Sequence, residues 1–296
     1  MYHCIVNPAA GRGSGRRLIP VIKSFMKNHG KEIEIKETVN PMDAAKWAKE
    51  ACAAGSRSII GVGGDGTLQE IVTGMLDGHD KCDTPLGVIS CGSGDDWRRS
   101  FGQEAGAEAC LAAVLGGKTK VVDAIRANDM VCLNISNMGL DVRIVRNAQP
   151  LKKFFGKSSY VISAVISILK HKNVRLVVDI GDGKVIEGDF TLAAICNGQY
   201  YGGGMRITPP AKMDDGLITL CLVSAMSRLR VLTLFPVMLA EKHTKLKAIR
   251  YIECKQITLT PLSPQTLCID GNLYECEGSL DFKILPEALR IFTGEY

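Results

Sequence analysis

The sequence predicts an α/β domain followed by a strand-rich domain, most simply an antiparallel β-sandwich. Three observations predict this. Residues 1–123 alternate strand-like and helix-like apolar patterns, as in an open α/β sheet. An apolar run, Ser58-Ile59-Ile60-Gly61-Val62, leads into the glycine turn Gly63-Gly64-Asp65-Gly66-Thr67, and a helical pattern follows it. From about Ala124 the apolar runs shorten and turns separate them.

In the first domain, residues 3–7 read as a strand and 8–15 as a small-residue loop. Leu18, Ile19, Ile22, Phe25 and Met26 then repeat at helical spacing, with Gly30 placed to end the helix. Residues 32–37 alternate as a strand. Asn40-Pro41-Met42-Asp43 reads as a helix start, with Asn40 as N-cap and Pro41 at the first helical position. Ala44, Trp47, Ala48 and Ala51 form the buried face of that helix, and Gly55 ends it. Residues 85–90 are a strand entering Cys91-Gly92-Ser93-Gly94-Asp95-Asp96-Trp97. Residues 105–115 are helical, and 118–122 a strand ending at Asp123.

In the second domain, 124–285, strands are expected at 131–135, 174–180, 192–196, 218–223, 257–259, 266–269 and 280–284. Gly181-Asp182-Gly183 reads as a hairpin turn. Helices are expected at 160–171 and at 228–243, the latter containing Pro236. The closing segment 286–296 is placed to return to the first domain.

The chain has 296 residues, 46% hydrophobic and 23% charged, which is ordinary globular composition. The apolar stretches at 161–169 and 229–240 are too short or interrupted to span a bilayer, and the N-terminus reads as strand and turn rather than a signal peptide. The eleven cysteines are scattered with no C-x-x-C pair, which fits a reduced, cytoplasmic compartment and no zinc site. Net charge is +5, with local basic clusters at Arg12, Arg16 and Arg17, at Lys152, Lys153 and Lys157, and at Lys242, Lys245, Lys247 and Arg250. Such clusters suit phosphates or an anionic membrane, although each is also an ordinary solvated face.

The strand–glycine turn–helix unit at 58–72 is a phosphate site in outline. Glycines let the backbone approach oxygens, and the helix N-terminus offers unpaired N–H groups to an anion. Asp65 would repel bare phosphate, so its presence suggests Mg²⁺ or water between them. Thr67 and Glu70 also stand at capping-box spacing, and 61–66 satisfies the weak G-x-G-x-x-G pattern. A Walker loop is absent: Gly116-Gly117-Lys118-Thr119 has Ala112 where the first glycine belongs. None of the five histidines lies in a glycine loop, which disfavours a histidine base. What remains is a set of aspartates after strands: Asp65, Asp95, Asp96, Asp123, Asp141, Asp214, Asp215 and Asp270. Acids with glycine loops suit Mg²⁺-dependent phosphoryl transfer, though any one of them alone is most simply a turn or cap residue.

The motifs Asn7-Pro8-Ala9-Ala10-Gly11, Gly63-Gly64-Asp65-Gly66-Thr67 and Gly92-Ser93-Gly94-Asp95-Asp96 resemble the nucleotide-site motifs of the diacylglycerol kinase catalytic domain family, which includes bacterial lipid kinases and sphingosine and ceramide kinases. The resemblance continues through Asn134 with Gly139-Leu140-Asp141, Asn197-Gly198, Gly202-Gly203-Gly204, Pro210-Ala211-Lys212-Met213-Asp214-Asp215-Gly216-Leu217 and Asp270-Gly271-Asn272, so it covers nearly the whole chain in order. It implies a NAD kinase-like α/β domain plus a β-sandwich, with ATP between them. By resemblance, Asn7, Pro8, Ala9, Ala10, Gly11, Thr38, Gly63, Gly64, Asp65, Gly66, Thr67 and Ser93 would bind ATP. Asp65, Asp96 and Asp123 would sit in a Mg²⁺–water–acid network. Lys212 and Leu217 through carbonyls, and Asp215 through its carboxylate, match a structural Mg²⁺ site of the bacterial branch, and Asp270 would be the base.

The implied partners are a lipid substrate at a membrane surface met peripherally, and no nucleic acid; a homodimer is open. Two departures stand out. Ser93 and Asp95 replace the family's usual Thr and Asn, and Asn272 replaces its usual Glu, although an amide cannot act as a base. Glu275 and Glu277 are reserve candidates, more simply exposed strand residues. The leading expectation is an ATP- and Mg²⁺-dependent lipid kinase. A NAD kinase-like enzyme with a soluble substrate, and a nucleotide-binding regulatory protein that has lost catalysis, are the rivals.

Overall fold

The computed structural model describes residues 1–92, 94–103, 106–140, 142, 163, 166–181 and 183–294. Ser93, Ala105, Asp141, Lys152, Lys153, Lys157, Asp182 and, in the expected helix at 160–171, residues 160–162, 164 and 165 lie outside the described residues. The chain forms two compact units, Met1–Ala124 with Leu285–Tyr296, and Ile125–Ile284.

The first unit runs β1 (Tyr2–Val6), α1 (Ala10–Asn28), β2 (Ile33–Glu37), α2 (Asp43–Ala53), β3 (Ser58–Gly63), α3 (Asp65–Met75), β4 (Cys82–Ser90), α4 (Asp96–Phe101), α5 (Ala107–Gly116) and the start of β5 (Thr119–Ala127). Strands β1 to β4 are parallel. β1 lies between β2 and β3, and β4 pairs with the other edge of β3. The chain leaves β1 for β2 on one side and then crosses to β3 on the other. A ligand crevice is expected at that reversal, beyond the C-terminal ends of β1 and β3. β3 is buried at all six positions, as a central parallel strand covered on both faces must be. The core joins Cys4, Val6, Ile60, Val62 and Ile89 from the strands to Ile22, Met26, Leu111 and Val114 from the helices.

Three expectations are corrected in this unit. α2 begins at Asp43, not Asn40. The Asp43 carboxylate takes the amides of Asn40 (2.7 Å) and Val39 (2.9 Å), so Asp43 organises the entry and Met42 turns left-handed before it. Those amides, Asn40 first, hold the Asp43 carboxyl below its ordinary range. Trp47 is half-buried, while Ala44, Ala48 and Ala51 are fully buried. β5 does not end at Asp123 but continues to Ala127.

The second unit contains β6 (Met130–Cys132), β7 (Ile135–Gly139), β8 (Val174–Asp179), β9 (Val185–Cys196), the short pair β10 (Tyr200–Tyr201) and β11 (Met205–Arg206), β12 (Ile218–Ser224), α6 (Arg228–Leu239), β13 (Ile249–Cys254), β14 (Gln256–Pro261), β15 (Gln265–Ile269), β16 (Asn272–Cys276) and the start of β17 (Leu280–Phe292). Its ladders are antiparallel. β12 and the second half of β9, residues 190–196, are buried on both faces. Leu192, Ala194 and Cys196 join one apolar cluster, and Ala193 and Ile195 join the other. Strands inside a sandwich-like layer therefore read as unbroken apolar runs rather than alternations. The hairpin between β8 and β9 is closed by Gly181 and Gly183 at positive φ, with the Lys184 N–H donating to Gly181 O.

The expected strand at 131–135 is split into β6 and β7, for a reason given below. The expected helix at 228–243 ends at Leu239, because Glu241 adopts φ 56° and a short 3₁₀ turn, His243–Lys245, follows.

Candidate active site

Three loops follow the C-terminal ends of β1, β3 and β4, and they meet. The loop after β1 reverses through Gly11, Arg12 and Gly13, all left-handed, before the helix proper begins. A Cβ on Gly11 would lie 2.1 Å from Cys91 O, and one on Gly15 would lie 2.0 Å from Asn7 O. A Cβ on Gly92 would lie 2.7 Å from Gly64 Cα. Only glycines allow three backbones to come this close. Asn7 fastens the first loop to the second. Its Nδ2 donates to Thr67 Oγ1 at 3.0 Å, and its Oδ1 accepts the Ala9 N–H at 3.1 Å. Thr38 follows β2 alongside, its N–H donating to Val6 O at 2.8 Å.

Thr67 is thus a bridge and not a cap. α3 starts at Asp65 with Gly64 as its uncapped boundary, and Glu70 instead accepts the Met42 N–H at 3.1 Å, so the capping box does not form. The first turn of α3 offers its N–H groups at the crevice, the arrangement that holds anions at helix N-termini.

Acids stand beside this cradle. Asp65 Oδ1 accepts the Trp97 N–H at 3.1 Å. A Cβ on Gly94 would lie 2.7 Å from Asp65 Oδ2 and 3.0 Å from Asp96 Oδ2, so both carboxylates flank one point. Burial pushes the Asp65 carboxyl up and the neighbouring Asp95 adds to it, against the amides of Trp97 and Asp96. A buried carboxylate raised in this way gains most from a bound cation. Asp95 sits at φ 53°, and Arg99 contacts both Gly94 O and Asp96. Among the described residues no three or more His, Cys, Asp or Glu side chains converge as a metal cluster. Mg²⁺ needs none, since it is commonly held by one or two carboxylates, water and substrate phosphates. Asp123 is 2% exposed, and its Oδ1 accepts the Glu287 N–H at 2.8 Å.

In the second unit the motif residues form one polar network. Asp270 and Gly271 are the two-residue tip of the β15–β16 hairpin, both at positive φ, with Ile269 paired to Asn272. Asp-Gly is a preferred tip for such a hairpin, a local signal the sequence reading passed over. The Asp270 carboxylate is 7% exposed and accepts three amides: Leu133 (2.6 Å), Ile135 (2.9 Å) and Asn134 (3.1 Å). These bonds turn the chain out of line between β6 and β7, which is why the strand is split. Asn197 Nδ2 donates to Leu133 O, and Asn134 Nδ2 donates to Tyr200 O. Asp215 is exposed and accepts the Leu217 N–H at 3.0 Å, an Asx turn at the entry to β12 beside exposed Lys212. Glu275 is exposed and accepts the Thr266 hydroxyl.

Sequence comparison bears on both units. The profile of the diacylglycerol kinase catalytic domain matches residues 1–127, and that of the YegS C-terminal NAD kinase beta sandwich-like domain matches 134–293. The "probable lipid kinase YegS-like" protein of Enterobacter sp. (strain 638) is 30% identical over 71% of each chain. The chain belongs to this family of lipid kinases. The diacylglycerol kinase of Staphylococcus carnosus (strain TM300) is 24% identical over 98% of this chain and 94% of its own. A diacylglycerol kinase of Bacillus anthracis str. Sterne shares the fold, with a TM-score of 0.78 at 22% identity over 99% of this chain and 96% of that one. The family is a kinase family with an α/β domain and a β-sandwich-like domain. No described helix is long and apolar enough to cross a membrane.

Proposed function

We propose that this chain transfers the γ-phosphoryl group of ATP, with Mg²⁺, to a hydroxyl of a diacylglycerol-like lipid. One observation carries the reading: the loops Asn7–Gly11 and Gly63–Thr67 and, after β4, residues Cys91, Gly92 and Gly94 to Asp96 close on one another at the sheet's reversal point, with the Asp65 carboxylate among them. Asn7, Ala9, Ala10, Gly11, Thr38, Gly64, Gly66, Thr67 and Ser93 would hold the nucleotide through backbone N–H groups and short polar side chains, and Pro8, which has no N–H to give, would shape the first loop around it. Asp65, Asp96 and Asp123 would hold Mg²⁺ or its water shell, and the ion would supply positive charge against the phosphate oxygens.

The residues orient, and the reaction asks little else of them, because phosphoryl transfer is carried mainly by positioning and electrostatics. Asp270 is the group assigned to the acceptor hydroxyl. Its three amide donors fix its position, so it would serve as a stationary hydrogen-bond acceptor for that hydroxyl. Lys212 and Leu217 carbonyls with the Asp215 carboxylate offer oxygen ligands for a second, structural Mg²⁺. The lipid would be met peripherally at the cytoplasmic face of a membrane, by a monomer or a homodimer.

Incubation with labelled ATP, Mg²⁺ and a total lipid extract, followed by identification of the labelled product, tests this. A labelled phospholipid is expected. Label confined to water-soluble acceptors would reject the lipid reading.

A further inference from the structure

α6 is a twelve-residue surface helix that is apolar on two opposite sides. Its inner side packs Val231, Leu234, Phe235 and Met238 onto the apolar cluster beneath it. Its outer side carries Leu229 (77% exposed), Leu232 (37%), Pro236 and Leu239 (52%). Their spacing of three, four and three residues puts them on a single stripe, about 15 Å long at 1.5 Å per residue. Single exposed leucines are common on protein surfaces, but an aligned stripe is not what a helix facing only water carries.

The charges around the stripe have one sign. Arg228 and Arg230 stand in the first turn, where positive charge opposes the helix dipole and adds nothing to the helix itself. Lys242, Lys245 and Lys247 follow its C-terminal end and are exposed. Between Met226 and Lys247 the one acidic residue is Glu241, which is paired with Arg206 at 3.5 Å. Exposed leucines between basic residues match the boundary of an anionic bilayer, where apolar side chains enter the acyl layer and lysine and arginine meet headgroup phosphates.

We infer that α6 is the element by which this protein docks on an anionic lipid surface, its Leu229–Leu239 stripe entering the bilayer boundary. The inference rests on the lipid kinase reading for its purpose, though not for its test.

The test is co-sedimentation of the full chain with phosphatidylcholine vesicles, with and without phosphatidylglycerol. Binding to the phosphatidylglycerol vesicles that weakens with added salt is expected. The exposed triple variant Leu229→Ser, Leu232→Ser, Leu239→Ser is expected to lower that binding at least about tenfold. Arg230→Glu with Lys242→Glu is expected to lower it to a similar degree and to flatten the salt dependence. Circular dichroism and thermal melting check that the variants fold, and phosphorylation of detergent-dispersed lipid, which needs no bilayer, is expected to be unchanged.

Triple-variant binding equal to that of the parent would overturn the inference. So would a stripe that serves a second copy of this chain, seen as a dimer in sedimentation that the triple variant loses while vesicle binding persists. Vesicle binding through α6 with no lipid phosphorylated would leave the inference standing and reject the function proposed above.

Discussion

Asn7 Nδ2 donates to Thr67 Oγ1 at 3.0 Å, across sixty residues of sequence. This bond links the loop after β1 to the first turn of α3, the two edges of the crevice where the sheet reverses. The Asn7 backbone N–H also donates to Val62 O at 2.9 Å. One residue therefore ties the first phosphate loop to both the strand and the helix of the second. Side chains locked in this way keep backbone N–H groups aimed before a ligand arrives, which lowers the ordering cost of binding.

The first loop separates two glycines by environment. Gly11 and Gly13 both have positive φ, but a Cβ at Gly11 would overlap Cys91 O at 2.1 Å, whereas at Gly13 the nearest atom is Arg17 Nη1 at 3.6 Å. Gly13→Ala should cost only the left-handed backbone penalty, about 1 kcal/mol. Gly11→Ala must also push two loops apart, and should lower ATP affinity at least about tenfold. Urea denaturation and nucleotide titration of both variants check this; equal effects would contradict the loop contact.

Asp65 links stability to pH with a definite sign. Burial raises its folded-state carboxyl above the ordinary 3.8. The native state then holds a proton that the unfolded state has released, so stability falls as pH rises from about 4 through the raised value. Without nucleotide or metal, Asp65→Asn should remove this decline and melt above the parent at neutral pH. The same change should reduce turnover by about a hundredfold or more, since the charge facing the phosphates is gone. Melting curves across pH and steady-state rates test the two halves. A variant with normal turnover would refute the assignment.

Much of this was legible because it is local. The glycine turns, the strand before Asp65 and the apolar face of α1 depend on neighbours in sequence. What escaped was decided at long range. β5 passes through Asp123 while that carboxylate accepts an amide 164 residues away, at Glu287. The break between β6 and β7 is made by Asp270, 136 residues from Asn134. No window of the sequence holds either partner. The entry to α2 is a different case: both Asn40 and Asp43 are fit to organise it, and two amides in place of one decide for Asp43.

Asp270 carries two duties that substitution separates. Asp270→Asn keeps the shape but replaces one acceptor oxygen with a donor that faces the amides of Leu133, Asn134 and Ile135. It should destabilise the unit by about 1–3 kcal/mol as well as slow turnover. Asn272→Glu supplies a second carboxylate at the same hairpin and should preserve or raise activity. The pH–rate profile of Asn272→Glu distinguishes a chemical effect from a structural one: a new acidic limb is expected if the residue meets the acceptor hydroxyl. Asp270→Asn with normal stability and rate would overturn both duties.

Cys52 and Cys82 approach to 3.5 Å between their sulfurs. The hydrogen bond from Cys52, then the amide and hydroxyl of Thr84, pull the Cys82 thiol down to about 6, while the same bond pushes Cys52 up. Burial instead raises Cys91 and Cys254 to about 11 and Cys110 to about 12. Iodoacetamide at neutral pH should therefore label Cys82 first, and Cys52→Ala should slow that labelling. Peptide mapping over a time course checks the order; Cys91 or Cys254 reacting as fast would contradict it.

The account turns on Asp65 serving phosphoryl transfer to a lipid. The most direct measurement is the passage of label from γ-labelled ATP into solvent-extractable product, using diacylglycerol micelles or NAD as acceptor, with Mg²⁺ or with chelator, for the parent and Asp65→Asn. The account predicts label in the lipid phase with the parent and Mg²⁺, lost with chelator and lost with Asp65→Asn. Label passing to NAD instead, or into lipid equally with Asp65→Asn, would contradict it.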